Sequence, residues 1–146
     1  MSMKKKIIGF ANDISGVAAV EFALLLPVLL AFVFGIINFG ALLYNQAVIT
    51  NAAREGARWG AINTTSAINC SGSTAGTLDP CQIANNYTRA NLISFGATPI
   101  STTSASGTGT AGTTVTVSVT YQFTEIGWIV GNKINNLSAT SVMYHE

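Results

Sequence analysis

A long apolar run near the start of the chain contains no charged residue. It extends from Phe22 to Tyr44, and Asn38 is its one strongly polar side chain. At about 1.5 Å per residue, a helix of this length covers roughly 35 Å, enough to cross the hydrocarbon core of a bilayer. A helix in a soluble core would usually show a polar stripe, which is missing here. The pattern predicts a transmembrane helix over residues 17–44, mildly kinked at Pro27, which lacks a backbone donor.

The helical pattern continues beyond this run as an extracytoplasmic extension over residues 45–62, which is rich in alanine and contains no proline. Small residues recur at i, i+4 and i+8 in two neighbouring rows: Ala52, Gly56 and Gly60, and Ala53, Ala57 and Ala61. Such rows let another backbone approach closely, so we expect a helix-packing face. The alternative is a solvated continuation with incidental alanines. One helix from about Ile14 to Ile62 would be on the order of 70 Å long.

The clearest strand lies where apolar and polar residues alternate strictly, over positions 114–123. The apolar set, expected to face a core, is Val115, Val117, Val119, Tyr121 and Phe123. Strict alternation is typical of a strand with one buried face. A second strand is predicted within residues 137–146, after a long connection or small helix. Residues 63–146 would then form a small head, and the fold class is α+β: a long N-terminal transmembrane helix, extended outside the membrane and packed with a small antiparallel sheet.

A short helix is predicted before the strands. Pro80 suits its first turn, Asp79 can cap its N-terminus, and Gly96 can end it. Its apolar side is expected to be Ile83, Tyr87 and Ala90. Residues 63–79 are rich in Ser, Thr, Asn and Gly and indicate a loop, and residues 98–113 indicate a flexible low-complexity loop.

Composition narrows the class of protein. Of the 146 residues, 49% are hydrophobic and 9% are charged, which is too apolar for an ordinary soluble domain. The formal net charge of +1 gives no strong basic field to attract nucleic acid. Three lysines precede the apolar run, whereas Arg54 and Arg58 follow it, so the positive charges favour a cytoplasmic N-terminus by a small margin.

A basic start before an apolar stretch is also the general form of a cleavable secretory signal peptide. The chain departs from that form because its apolar run is longer than usual and Glu21 and Pro27 interrupt the segment. No A-x-A-like site closes the run. A cleavable export signal is therefore disfavoured.

Few residues could support catalysis or bind a metal. His145 is the only histidine, and Glu146 is its one acidic neighbour in the sequence. Cys70 and Cys81 are not spaced as a C-x-x-C pair and have no histidine to complete a metal site. We therefore predict no metal, no cofactor and no enzymatic activity. On the oxidising side of a membrane the two cysteines are expected to form a disulfide, the alternative being two free buried thiols.

The segment that leads into the apolar run has an ordered motif. Its order is Gly16, four small or apolar residues, Glu21, Phe22, Ala23 and then Pro27. An Ala-Ala-Arg-Glu-Gly-Ala-Arg stretch follows the span at residues 52–58. Together the two motifs resemble the TadE-like family of minor pilins (pseudopilins), which belongs to the tight-adherence (Tad, or Flp) type IV pilus system.

The resemblance implies a type IV pilin-like fold and a processing step. A prepilin peptidase would cut between Gly16 and Val17 and remove residues 1–16 as a basic leader peptide. Glu21 would then be the fifth residue of the mature chain and, with Phe22, an assembly contact, because its carboxylate would pair with the new amine of Val17. The alternative is an interfacial glutamate that reaches the lipid headgroups.

Two functions from different classes remain. The resemblance implies a structural minor pilin of the inner membrane, with a cytoplasmic N-terminus and a periplasmic head. Its partners would be the prepilin peptidase, other pilin or pseudopilin subunits, Tad inner-membrane assembly proteins and lipid, in pilus biogenesis and adhesion. The alternative is an unprocessed, single-pass, membrane-anchored periplasmic binding module. A membrane-tethered enzyme is disfavoured because candidate catalytic residues are so few.

Overall fold

The computed structural model describes residues 14–63, 68, 70, 79–95, 101–124 and 134–145. Its elements, in chain order, are α1 (Ile14–Asn63), α2 (Pro80–Asn91), β1 (Ser101–Ser106), β2 (Thr114–Thr124) and β3 (Ile134–Tyr144). A long N-terminal apolar helix, a second helix and an antiparallel sheet confirm the predicted α+β fold. Most of the predicted leader, most of the loop at 63–79 and the connection after β2 lie outside the described residues.

The chain divides into two compact units, of which the first ends at Ile36 and the second begins at Ile37. The described part of the first unit is the start of α1, where most large apolar side chains are exposed. Pro27 lies inside this helix without ending it, and the mild kink expected there stays a prediction. The second unit contains the rest of α1, α2 and the sheet, with a hydrophobic core around β2.

The sheet is antiparallel, and β2 is its central strand. β3 pairs with the whole of β2 in a register that sets Thr114 opposite Tyr144, and β1 pairs with part of it, with Ser106 opposite Thr116. The apolar set of β2 is buried, as the alternation predicts: Val115, Val117, Val119, Tyr121 and Phe123. Because β-branched and aromatic side chains fit a pleated, half-buried surface, β2 forms the centre of the core.

β1 corrects the prediction that residues 98–113 form a flexible loop, because Ser101–Ser106 pairs with β2. Its inward side chains are hydroxyls and one alanine, so no apolar alternation marks the strand in the sequence. The strand is held instead by its backbone pairing and by hydroxyl contacts with α2. Thr103 Oγ1 donates to Asn85 Oδ1 at 2.6 Å, and the hydroxyls of Thr88 and Ser101 lie 2.9 Å apart.

α2 begins as the sequence predicts. Asp79 caps the helix by accepting a backbone hydrogen bond from the first turn at 2.6 Å, and Pro80 is the first helical residue. The helix ends at Asn91, so the predicted end at Gly96 is wrong. Leu92 has an extended backbone, and the Ile93 backbone nitrogen donates to the Asn45 side chain of α1. The chain therefore leaves the helical conformation at Leu92.

The buried face of α2 also differs from the prediction. Ile83 and Tyr87 are half-buried and Ala90 is exposed. The buried residues are instead Pro80, Cys81, Ala84 and Thr88. α2 turns these smaller side chains inward because it lies very close to α1, where a bulkier residue would have no room.

A buried amide joins α1 to the segment after α2. Asn45 Nδ2 donates to the Ile93 carbonyl oxygen at 2.8 Å, and Asn45 Oδ1 accepts from the Ile93 backbone nitrogen at 2.9 Å. Asn45 is fully buried, and this pair of bonds satisfies both polar groups of its side chain. The Tyr121 hydroxyl donates to the same carbonyl oxygen at 3.3 Å, and burial raises the pKa of Tyr121.

The small-residue rows of α1 lie against α2 and β2. All of their members are buried: Ala52, Ala53, Gly56, Ala57, Gly60 and Ala61. A Cβ atom at Gly56 would lie 2.7 Å from the Pro80 carbonyl oxygen, and one at Gly60 would lie 2.9 Å from Val115 Cγ1. Both distances are shorter than real Cβ contacts, so α2 and β2 can lie this close to α1 because both positions are glycine.

We expect Gly56→Leu to destabilise the second unit by about 1–3 kcal/mol or more, because the added side chain must push Pro80 and α2 away. The measurement is thermal unfolding of the full-length chain in detergent, followed by near-ultraviolet circular dichroism.

Gly40→Leu is the matched control, because a Cβ atom at Gly40 would meet no atom within 4 Å. Equal unfolding midpoints for the two variants would contradict the close packing at Gly56. Both variants should reach the membrane fraction equally.

Candidate functional site

The first motif lies at the N-terminal end of α1, which begins at Ile14. Gly16 is exposed, and a Cβ atom built there would meet no atom within 4 Å. Val17 and Phe22 are exposed as well. Packing within the described chain therefore gives no reason for a glycine at position 16, in contrast to Gly56, where a Cβ atom would collide with backbone.

Glu21 is an acidic residue in an apolar and exposed stretch of α1. Its neighbours Val20, Phe22, Leu24 and Leu25 all expose more than half of their surface. Among the described residues, the structure records no ion pair or hydrogen bond for the Glu21 side chain. A carboxylate costs about 2.5–3.5 kcal/mol at the centre of a bilayer, and less near its edge.

The apolar surface of the first unit includes a groove along one side of α1. It is lined by Phe22, Leu25, Leu26, Val28, Leu29 and Phe32. Among the described residues, α1 is the one helix long and apolar enough to cross a membrane, and none of its most apolar window is buried. These properties are compatible with a single-pass membrane protein.

The second motif divides into two sets with different surroundings. Its small residues are buried under the head, whereas Arg54 and Arg58 are exposed. Arg58 pairs with Glu55 through nitrogen–oxygen distances of 2.7 and 3.2 Å. This hydrogen bonding holds the pKa of the Glu55 carboxyl below its usual value. The alanines and the glycine of the motif are therefore packing residues, whereas its two arginines lie at the surface.

The structure joins Cys70 to Cys81 in a disulfide, with their Cα atoms 5.8 Å apart. Cys81 is a buried residue in the first turn of α2. It directly follows Pro80, whose carbonyl oxygen lies against Gly56. The disulfide therefore attaches the segment at Cys70 to the end of α2 that packs on α1.

The described residues contain no group of three or more His, Cys, Asp or Glu side chains that could hold a metal ion. His145 continues β3, where its backbone nitrogen donates to the Thr113 carbonyl oxygen at 2.8 Å. Its carbonyl oxygen accepts from Gly112 at 2.9 Å. The main chain at His145 is therefore fixed beside the β1–β2 turn, and the residue is half-buried.

The sequence analysis did not predict the roles of Asn45 and Asn85, whose side chains make hydrogen bonds between separate elements. Asn45 lies on the same helical stripe as Ala41, Ile49 and Ala52, all of which are buried. Because a buried polar side chain is almost always hydrogen-bonded, the position of Asn45 within this stripe predicts a bond to another element. Asn85 offered no comparable signal, because its partners are hydroxyls of β1, a strand that no apolar pattern marks.

A family model for TadE-like proteins matches residues 16–58. This region of the chain is TadE-like. The match confirms the resemblance, because it begins at Gly16 and ends at Arg58, the first residue of one motif and the last of the other. The match spans both motifs and the apolar run between them, and it suggests a Tad pilus-associated membrane protein. Comparisons with curated proteins and with solved structures found no match.

We expect the purified protein to contain the Cys70–Cys81 bond. Unreduced, denatured protein should resist thiol labelling, and reduction should make both cysteines reactive, as mass spectrometry would measure. Replacing both cysteines by serine should destabilise the second unit by roughly 2–4 kcal/mol.

The control is the intact protein after reduction, which should unfold at the same midpoint as the double serine variant. Labelling of both cysteines without reduction would contradict the disulfide.

Proposed function

We propose that the chain is a minor pilin or pseudopilin of a Tad pilus system, and that it acts as a structural subunit in pilus biogenesis and adhesion. It would be anchored in the inner membrane by α1, with its N-terminus in the cytoplasm and its head in the periplasm. The observation that carries the proposal is the TadE-like match, whose range begins at Gly16, close to the start of the exposed apolar helix.

Gly16 would be the residue that precedes the bond cut by the prepilin peptidase, a role that does not depend on packing within the fold. A peptidase that draws extended backbone into its site needs close approach, and glycine permits it because it has no side chain. Cleavage between Gly16 and Val17 would remove the leader with its lysines. Since a Cβ atom at Gly16 would have free space, the glycine is better explained by an external enzyme than by the fold.

Cleavage would also supply a partner for Glu21. The new amine of Val17 would be positively charged and one helical turn from the carboxylate. An amine of the same chain or of a neighbouring subunit could form a charge-assisted hydrogen bond with it, which is stronger than a neutral one. Such a bond would set the register of a subunit that enters an assembly, while Phe22 and the apolar groove would contact neighbouring helices or lipid.

Gly16→Val should block processing and leave residues 1–16 attached to a chain that still enters the membrane. Mass spectrometry of the N-terminus, in cells that contain the prepilin peptidase, distinguishes the two forms. The wild-type chain should begin at Val17.

Gly35→Val is the matched control, because Gly35 lies in the same apolar helix and a Cβ atom there also meets no atom within 4 Å. It should be processed normally. An intact leader on the mature wild-type chain would instead support the unprocessed membrane-anchored binding module. Normal assembly of an uncleaved Gly16→Val chain is incompatible with the proposal.

Glu21→Ala should be inserted and processed normally but should fail to assemble. Loss of the charge removes a desolvation cost in the membrane and, with it, the bond to the Val17 amine. We expect the amount recovered in the sheared pilus fraction to fall by about tenfold or more, as befits one charge-assisted hydrogen bond.

Glu55→Ala is the control, because it removes a glutamate from the same helix but at a half-buried position paired with Arg58. It should assemble like the wild type. Glu21→Gln separates the two parts of the interaction, since it keeps a polar side chain and loses the charge. Wild-type recovery of Glu21→Ala in the pilus fraction would refute the assembly contact.

A further inference from the structure

The outer face of the sheet is a surface that neither the family motifs nor the proposed function explains. The side chains at alternate positions of β1, β2 and β3 point away from the core, and most of them are exposed. None of the three strands contains Asp, Glu, Lys or Arg. The face is therefore uncharged and open to solvent, and it is polar except at the end that contains Val142 and Tyr144.

The strand register aligns the outward hydroxyls into rows that cross the whole sheet. One row is Thr102, Thr120 and Ser138, and the next is Ser104, Ser118 and Thr140. Within the second row, the hydroxyls of Ser118 and Thr140 lie 2.9 Å apart and share a hydrogen bond. Because neighbouring strands are about 4.8 Å apart and alternate residues about 6.7 Å apart, the rows form a regular lattice of hydroxyl groups.

The absence of charge on this face is unusual for a solvated sheet. Exposed faces and edge strands normally carry lysine or glutamate, which keep them soluble and prevent pairing with other chains. β3 is an edge strand of 11 residues and has neither. Solubility alone would be served better by charges, so the composition indicates contact with a neutral partner.

Hydroxyl side chains suit a partner that is itself covered with hydroxyls. Each threonine or serine both donates and accepts hydrogen bonds, so it can match either role of a sugar hydroxyl. Threonine is stiff at its first side-chain torsion, and little conformational freedom is lost when it is bound. At one end of the face, Tyr144 is 73% exposed and lies two residues from Val142, which is also exposed. The ring of Tyr144 offers an aromatic surface for the apolar side of a sugar.

We propose that the outer face of the sheet, centred on the hydroxyl rows, binds a neutral polysaccharide. Nucleic acid and anionic lipid are poor partners, because both are bound mainly through lysine and arginine. A protein partner would need apolar or aromatic anchors near the centre of the surface, and the central rows contain only hydroxyls. The inference stands on the sheet alone and does not depend on a role in pilus assembly.

The test is titration calorimetry of the full-length chain in a polyoxyethylene detergent, since detergents with sugar headgroups would compete. The probes are hydroxyethylcellulose, dextran and amylose as neutral polysaccharides, and carboxymethylcellulose as the charged counterpart of the first. We expect binding to at least one neutral polysaccharide, unchanged between 0.05 and 0.5 M salt (about a threefold change in Debye length) because no charges take part.

The combined substitution Thr102→Val and Thr120→Val should weaken this binding at least about fivefold, the loss expected for one or two hydrogen bonds. Valine keeps the shape of threonine and favours strands, so the thermal midpoint should not change. Thr110→Val, at an exposed position between β1 and β2, is the matched control and should bind like the wild type.

Thr120→Lys and Thr120→Glu distinguish a neutral partner from a charged one. Both should weaken binding, because each places a hydrated charge in the centre of the face. Stronger binding by one and weaker binding by the other would show that the partner is charged and would overturn the proposal. So would a double valine variant that binds like the wild type, or a wild-type chain that binds none of the neutral polysaccharides.

Discussion

α2 and the sheet pack against the part of α1 whose buried residues are mainly alanine and glycine. Gly56 and Gly60 let Pro80 and Val115 approach so closely that even a methyl group would collide with them. Much of the remaining structure follows from this approach. α2 must present small residues to α1, its start is secured by the Asp79 cap and by the disulfide at Cys81, and its end is turned away by the Asn45 amide. Between α1 and α2, close backbone packing and directional polar bonds thus take the place of large interlocking side chains.

The elements that could be predicted are those with a strong local signal. The apolar run gave the long helix, the strict alternation around Val117 gave β2, and Asp79 with Pro80 gave the start of α2. β1 and the buried face of α2 could not be predicted for a common reason. Both depend on small or hydroxyl residues such as Ala84 and Thr103, whose burial follows from tertiary contacts and not from their own hydrophobicity.

The two motifs within residues 16–58 have different surroundings in the structure. Around Gly16 the helix is exposed, and no contact among the described residues requires a glycine there. Around Gly56 the small residues are buried, and the fold itself requires them. For the same reason, helical spacing alone predicts the packing role of the second motif, whereas the partners expected for the first motif come only from the family resemblance.

β1 has a consequence for local stability. Its inward side chains are Ser101, Thr103 and Ala105, so separating it from the sheet exposes little apolar surface of its own. It is also an edge strand of only 6 residues, whereas β3 pairs along all 11 residues of β2. Local opening is easiest where few apolar contacts are lost. The sheet therefore contains one strand that can detach and return while β2 stays packed on α1, so amide protection should be graded across the sheet rather than uniform.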